Sequence, residues 1–214
     1  MIVAIGGEPA TGKSTLMKQW MKPYKWEDVK LTDLLYGMWC KDLNTIVLGK
    51  DYFDETQMFC GTDRLSMAVQ PKAIEWMRDS YKPSGVHIVF EGDRLFTASF
   101  LSEIVAMGHE IECIYIKADQ SILDERHVSR KDNQDDKFLN SRKTKLSNIL
   151  SNFELMPYIT EFSNNNEADQ LELVNHILSG DKHQDLFLIP QRINFCALQH
   201  RLKPQLPFDA RSLF

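Results

Sequence analysis

The stretch Met1-Ile-Val-Ala-Ile-Gly-Gly-Glu-Pro-Ala-Thr-Gly-Lys-Ser-Thr15 opens the chain and decides how everything after it is read. Met1 to Ile5 is a short apolar run of the kind that fills a buried parallel strand. Gly7, Gly12, Lys13 and Ser14 then meet the G-x-x-x-x-G-K-[ST] spacing position for position. Each residue type answers a need of a polyphosphate. Gly7 and Gly12 let the backbone turn where a Cβ would obstruct it, so successive N–H groups point at phosphate oxygens. The loop opens a helix, expected from Ser14 to Met21 and ended by Pro23, whose unpaired N–H groups and positive dipole end favour an anion. Lys13 reaches the β- and γ-phosphates, Ser14 offers a hydroxyl to Mg²⁺, and Thr15 adds a further phosphate contact. Gly7, Glu8, Pro9, Ala10, Thr11, Gly12, Lys13, Ser14 and Thr15 together form the candidate ATP-binding segment.

Composition bounds the rest. At 214 residues the chain is one domain, or one domain with an appendage. Its 43% hydrophobic and 26% charged residues are ordinary for a soluble globular protein. No apolar run approaches a membrane span, and the N-terminal apolar stretch is too short, and lacks the positive flank, for a signal peptide. Cys40, Cys60, Cys113 and Cys196 lie far apart without metal spacing, which points to free thiols in a reducing, cytoplasmic setting. The net charge of −5 argues against a surface that coats nucleic acid generally, while leaving room for a local basic patch on DNA.

Along the chain, Trp26 to Asp33 reads as a linker entering a second strand with Asp33 near its C-terminal end. Residues 34–52 are rich in β-formers with a turn at Lys41 to Asn44, and read as an inserted hairpin. A helical pattern follows through Leu65, Met67, Ala68, Ile74 and Met77, in which Pro71 either kinks one helix or starts another. Val86 to Phe90 is the next buried strand, followed by a helix from about Thr97 to Met107 closed by Gly108. Ile111 to Ile116 is again a strand. Asp119 to Arg130 and Phe138 to Leu150 are helices flanking a polar break, Met156 to Phe162 reads as the last core strand, and Ala168 to Leu178 as a helix ended by Gly180. Alternating strands and helices predict an α/β fold of three layers, a mostly parallel sheet with helices on both faces. Residues 1–180 form that domain and 181–214 a tail without assigned chemistry. In such sheets ligands bind beyond the carboxyl ends of the strands, where the Gly-Lys-Ser loop, Asp33, the Glu91 segment and the residues after Ile116 emerge.

Three further clusters bear on chemistry. In Phe90-Glu-Gly-Asp-Arg94, a carboxylate ending a buried strand beside the phosphate loop can hold Mg²⁺ through water or accept a proton from an attacking hydroxyl. Arg94 can fork onto a substrate anion, while Asp93 serves either substrate or a helix cap. From Arg126 to Lys145 there are seven Lys or Arg against three Asp, a concentration of positive charge in an acidic chain. Arg126 and Arg130 are four apart and share a helix face. Such a segment suits a lid, with its following helix over 119–150, that stabilises a moving phosphoryl group and excludes water, against the plainer reading of a solvated helical face. Thr62-Asp63-Arg64 opens a helix, either to bind the phosphate acceptor or only to cap it.

With these pieces placed, the chain resembles the P-loop kinases of nucleosides and nucleotides over about residues 1–180. The resemblance implies a P-loop kinase fold with an inserted hairpin and a basic lid. It also implies ATP and Mg²⁺ as cofactors, Arg126 and Arg130 as lid arginines, and Thr62 to Arg64 in the acceptor region. Glu91-Gly-Asp-Arg94 resembles the acidic-Gly-to-Arg segment of adenylate-kinase-like enzymes, one residue shorter. No run of four apolar residues then Asp follows Ile111, so Glu91 takes that part. Gly61-Thr-Asp-Arg-Leu-Ser-Met-Ala-Val-Gln-Pro71 is also similar to a stretch in kinases of tailed phages, a group that includes enzymes phosphorylating 5-hydroxymethyluracil in DNA. The expected reaction moves the γ-phosphate of ATP to a nucleotide-type acceptor. Lys13, Glu91, Arg126 and Arg130 are catalytic, Ser14 ligates the metal, and Asp33, Asp63, Arg64, Asp93 and Arg94 hold the acceptor. DNA and a second copy of the chain are candidate partners, and a membrane is not. The competing class is a P-loop ATPase that drives a partner; the small size and the in-chain basic lid favour the transferase.

Overall fold

Ile2–Gly7, buried throughout, is a strand (β1) at the inside of a seven-stranded sheet. The computed structural model describes residues 1–56, 59–81, 86–130 and 136–180, without the side chains of residues 130, 136, 138 and 178–180. The chain continues through helix α1 (Lys13–Met21) and strands β2 (Glu27–Lys30), β3 (Tyr36–Cys40) and β4 (Thr45–Leu48). Helix α2 (Val69–Asp79), strand β5 (His87–Glu91), helix α3 (Ala98–Ala106) and strand β6 (Ile111–Lys117) follow. Helices α4 (Gln120–Arg130) and α5 (Asp136–Leu150), strand β7 (Ile159–Ser163) and helix α6 (Glu167–Gly180) complete the described chain. The strand order is β2-β3-β4-β5-β1-β6-β7, parallel from β4 to β7 and antiparallel only across β2, β3 and β4.

The three layers follow from the period of two in the strands. Ile2 and Ala4 point to one face, with Ile88, Phe90 and Cys113, and meet Val69, Ala73 and Met77 of α2, Phe100 and Ile104 of α3, and Leu146 and Ile149 of α5. Val3 and Ile5 point to the other, with Val89, Ile114 and Ile116, and meet Leu16, Met17 and Trp20 of α1 and Leu173 and Ile177 of α6. Because both faces are covered, the parallel strands read as continuous apolar runs. Phe90 and Phe100 lock sheet to helix edge to face, with ring centroids 5.8 Å apart. Among the described residues, no helix is long and apolar enough to cross a membrane.

Local chemistry sets the element ends. Thr97 caps α3, its hydroxyl accepting from Phe100 N–H at 3.3 Å, and Gly108 follows the helix in the left-handed region at φ 76°. Pro71 is the third residue of α2, so it starts a helix rather than kinking one. One expectation changes. The hairpin is real, turning at Lys41 to Asn44, but β4 is part of the parallel core, pairing with β5 from Thr45 opposite His87 to Leu48 opposite Phe90. The second strand, expected to end near Asp33, is β2, a polar edge strand paired only with β3. The 181–214 tail lies outside the described residues.

His176 on α6 and Glu112 on β6 fasten helix to sheet, with Nε2 and Oε1 2.8 Å apart. The hydrogen bond to Glu112 raises the His176 pKa, with partial burial opposing. A raised folded-state value makes its stabilisation complete below about pH 6.5, and it fades as pH rises through that raised value. His176→Gln is therefore expected to lower the melting temperature more at about pH 5.5 than at about pH 8.5. An equal loss at both pH values would contradict the pairing.

Candidate functional site

The loop between β1 and α1 is shaped by backbone angles that most residues avoid. Gly12 sits at φ 92° and Ala10 at φ 63°, both left-handed. A Cβ on Gly12 would collide with Asn164 Nδ2, so this position takes only glycine both for its angle and for its neighbour. Thr11, 1% exposed, donates its hydroxyl to the Glu8 carbonyl at 2.8 Å. Lys13 arches back over the loop, its ammonium donating to the carbonyls of Gly7 and Glu8, both at 2.8 Å. Ser14 is half-buried on the first turn of α1, and Thr15 is exposed.

Parallel pairing brings in the carboxylate. Ile5 of β1 lies opposite Glu91, the last residue of β5, so the end of β5 emerges where the loop begins. Glu91 is 1% exposed, and the Ser14 hydroxyl donates to its Oε1 at 3.4 Å. Burial pushes the Glu91 carboxyl up to about 8, against the pull of the Lys13 ammonium and with the charge of Asp63 adding to the rise. An acid kept this far from its ordinary value, facing a hydroxyl beside a phosphate loop, is a donor set that a hard cation would satisfy. Mg²⁺ takes one or two protein oxygens and completes its shell with phosphate and water, and Ser14 Oγ with Glu91 behind it suits that pattern. Among the described residues there is no group of three or more His, Cys, Asp or Glu able to hold a metal alone.

The basic helices reach the same place. Arg126 of α4 donates from one guanidinium nitrogen to the Ala10 carbonyl at 3.2 Å. On α5, Arg142 pairs with Asp93 at 2.9 Å and Lys143 with Glu8 at 3.7 Å. Arg130 ends α4, and its side chain lies outside the described residues.

The other expected site residues divide. Asp93 and Arg94 follow Glu91 directly, and Arg94 Nε is buried with no hydrogen-bond partner among the described residues. Asp63 accepts the Asp93 backbone N–H at 2.8 Å, and burial, then Asp93, raises its pKa. Arg64 is exposed and turns away to Asp51 at 2.8 Å. Asp33 is exposed in the turn after β2, four strand positions from β1 and so on the order of 19 Å across the sheet. It is not brought to the phosphate loop.

One residue escaped the sequence reading. Asn164 follows β7, is fully buried, and donates from Nδ2 to the Thr11 carbonyl at 2.7 Å. Its Oδ1 is buried without a partner among the described residues. The sequence marks Asn164 only as the start of a turn; its place at a strand's carboxyl end is the one signal that pointed to the site.

The profile of the family described as P-loop Nucleotide Kinase3 matches residues 1–164. Comparison with curated proteins found no match. Among solved structures that match, a gluconokinase from Sinorhizobium meliloti 1021 is 12% identical, with 86% of this chain and 97% of that chain covered and a TM-score of 0.44. At that distance the likeness adds nothing about activity.

Asn164→Ala leaves the buried Thr11 carbonyl unpaired, at a cost of about 1–3 kcal/mol. The expected result is a lower denaturant midpoint together with weaker ATP binding. An unchanged midpoint would show that the Thr11 contact does not brace the loop.

Proposed function

The chain belongs to the P-loop nucleotide kinase 3 family, and from that premise we propose that it is an ATP- and Mg²⁺-dependent phosphotransferase acting on a nucleotide-type acceptor. The observation that carries this reading is the meeting of three distant segments. Ser14 of the phosphate loop and Glu91 at the end of β5 are 3.4 Å apart, and Arg126 of α4 reaches the loop's Ala10 carbonyl.

The roles follow from placement. The loop's N–H groups cradle the triphosphate and Lys13 leaves its carbonyl partners for the β- and γ-phosphates. Ser14, with Glu91 behind it, would hold Mg²⁺, which would neutralise charge on the phosphate oxygens. The acceptor oxygen forms a bond to the γ-phosphorus while the bond to the β–γ bridging oxygen breaks and ADP departs. Arg126, with Arg130 four residues on in the sequence, stabilises the charge on the transferring group. Where the acceptor is a hydroxyl, Glu91 can take its proton only once its own carboxyl is ionised, which a cation held beside it would favour; where it is a phosphate, no base is needed and the arginines dominate. Asp93 and Arg94, beside Glu91, border the side from which an acceptor would approach.

The similarity of Gly61 to Pro71 to kinases of tailed phages puts a hydroxymethylated base in DNA among the acceptors to be tried. In that case the basic residues of α4 and α5 also meet the DNA backbone.

Radiolabelled ATP offered with free nucleosides, nucleoside monophosphates and 5-hydroxymethyluracil DNA tests the reading. Label is expected to move to one acceptor class, with little ATP consumed before that acceptor is added. Lys13→Ala and Arg126→Ala should each cut transfer by roughly 10²-fold or more. ATP hydrolysed freely without any acceptor, or stimulated by DNA with no labelled product, would overturn the transferase in favour of an ATPase that drives a partner.

A further inference from the structure

Cys60-Gly-Thr-Asp63 lies against the turn Glu91-Gly-Asp93 along its whole length. Thr62 is fully buried, and its hydroxyl donates to the Glu91 backbone carbonyl at 2.7 Å. Asp63 Oδ1 accepts the Asp93 N–H at 2.8 Å. The two bonds take hold of the turn on either side of Gly92. Gly92 stands at φ 107°, and a Cβ there would come within 2.7 Å of Thr62 Oγ1 and 3.1 Å of the Asp63 carboxylate. A Cβ on Gly61 would collide with the Glu91 carboxylate, and the Cys60 thiol lies 3.9 Å from Oε1.

The clamp is itself anchored. Gly61 and Lys50 exchange two backbone hydrogen bonds, at 2.7 Å and 3.0 Å, which tie the segment to the chain leaving β4. Tyr52, buried beside them, donates its hydroxyl to the Leu48 carbonyl at 3.1 Å. β4 in turn pairs with β5, so the segment and the turn it grips hang from neighbouring strands.

A buried carboxylate facing a hydroxyl is under pressure to swing toward water, because burial penalises its charged form. Fixing the backbone on both sides of Gly92 sets where the Glu91 side chain starts, and Cys60 and Gly61 close in on its carboxylate. We infer that Thr62 and Asp63 are positioning residues: they set the turn after β5 so that the Glu91 carboxylate stays at the Ser14 hydroxyl, where Mg²⁺ is to bind. This assigns the Thr-Asp pair to shaping the metal side of the site instead of gripping the acceptor. The inference rests on the reading of Glu91 proposed above.

Calorimetric binding of ATP, once in EDTA and once with Mg²⁺, tests it on the full chain. The quantity read is the gain in affinity that Mg²⁺ confers. Thr62→Val keeps the side chain's shape and removes its donor. It is expected to bind ATP in EDTA within about twofold of the unaltered protein and to lose about tenfold of the Mg²⁺ gain, as loss of a residue that orients a metal ligand does. Thr62→Ser, which keeps the hydroxyl, restores the gain. A full gain in Thr62→Val, or a loss that Thr62→Ser does not repair, overturns the inference. If Thr62→Val fails to fold, Gly92→Ala disturbs the same contact from the other side and must show the same selective loss. Glu91→Gln separates the two readings. A gain that survives Glu91→Gln sinks the role of Glu91 itself; a gain lost there but intact in Thr62→Val sinks only the clamp.

Discussion

The site depends on one consequence of parallel pairing: Ile5 opposite Glu91 sets a buried carboxylate against the first turn of the helix that follows the phosphate loop. Everything charged around it answers to that placement. Burial drives the Glu91 carboxyl toward its neutral form, and the Lys13 ammonium and the Ser14 hydroxyl draw it back. The strands that produce the pairing are held from both faces, by α2, α3 and α5 on one side and α1 and α6 on the other. Loop and carboxylate therefore sit on rigid elements, as a site that must hold sub-ångström geometry requires.

Around this centre the cations are stationed on partners that a polyanion can replace. Lys13 rests on the carbonyls of Gly7 and Glu8, Arg126 on that of Ala10, Lys143 on the carboxylate of Glu8 and Arg142 on that of Asp93. Arg142 and Asp93 are 15% and 25% exposed, so that pair is shielded enough to hold α5 over the turn that follows Glu91. Asn164 also braces the loop, through the Thr11 carbonyl. The phosphate loop is thus fixed by residues drawn from α1, α4, α5 and the end of β7.

Much of the fold was legible because buried parallel strands announce themselves. Ile2 to Ile5, Ile88 to Phe90 and Ile111 to Ile116 are continuous apolar runs, and covering both faces of a sheet demands such runs. The same logic explains where legibility ends. β2 is Glu-Asp-Val-Lys, an edge strand with three exposed residues, and nothing in its composition tells which neighbour it takes. β4 has the β-branched composition of an inserted hairpin and of a core strand alike, and only its pairing with β5 separates them. The phosphate loop and Glu91 were marked by spacing and a strand end, and Arg126 by the positive charge of its segment. Asn164, and the partners of Thr62 and Asp63, were not, because a turn asparagine or a helix-opening Thr-Asp looks the same whether it meets water or a backbone group 29 to 153 residues away.

A structure of the protein with Mg²⁺ and a non-hydrolysable ATP analogue puts the central claim to the most direct test. The account predicts the triphosphate wrapped by residues 7–15, the cation on Ser14 Oγ with Glu91 behind it, and Arg126 turned from the Ala10 carbonyl to the terminal phosphate. A nucleotide seated elsewhere, or a cation bound without Ser14 or Glu91 nearby, would contradict it.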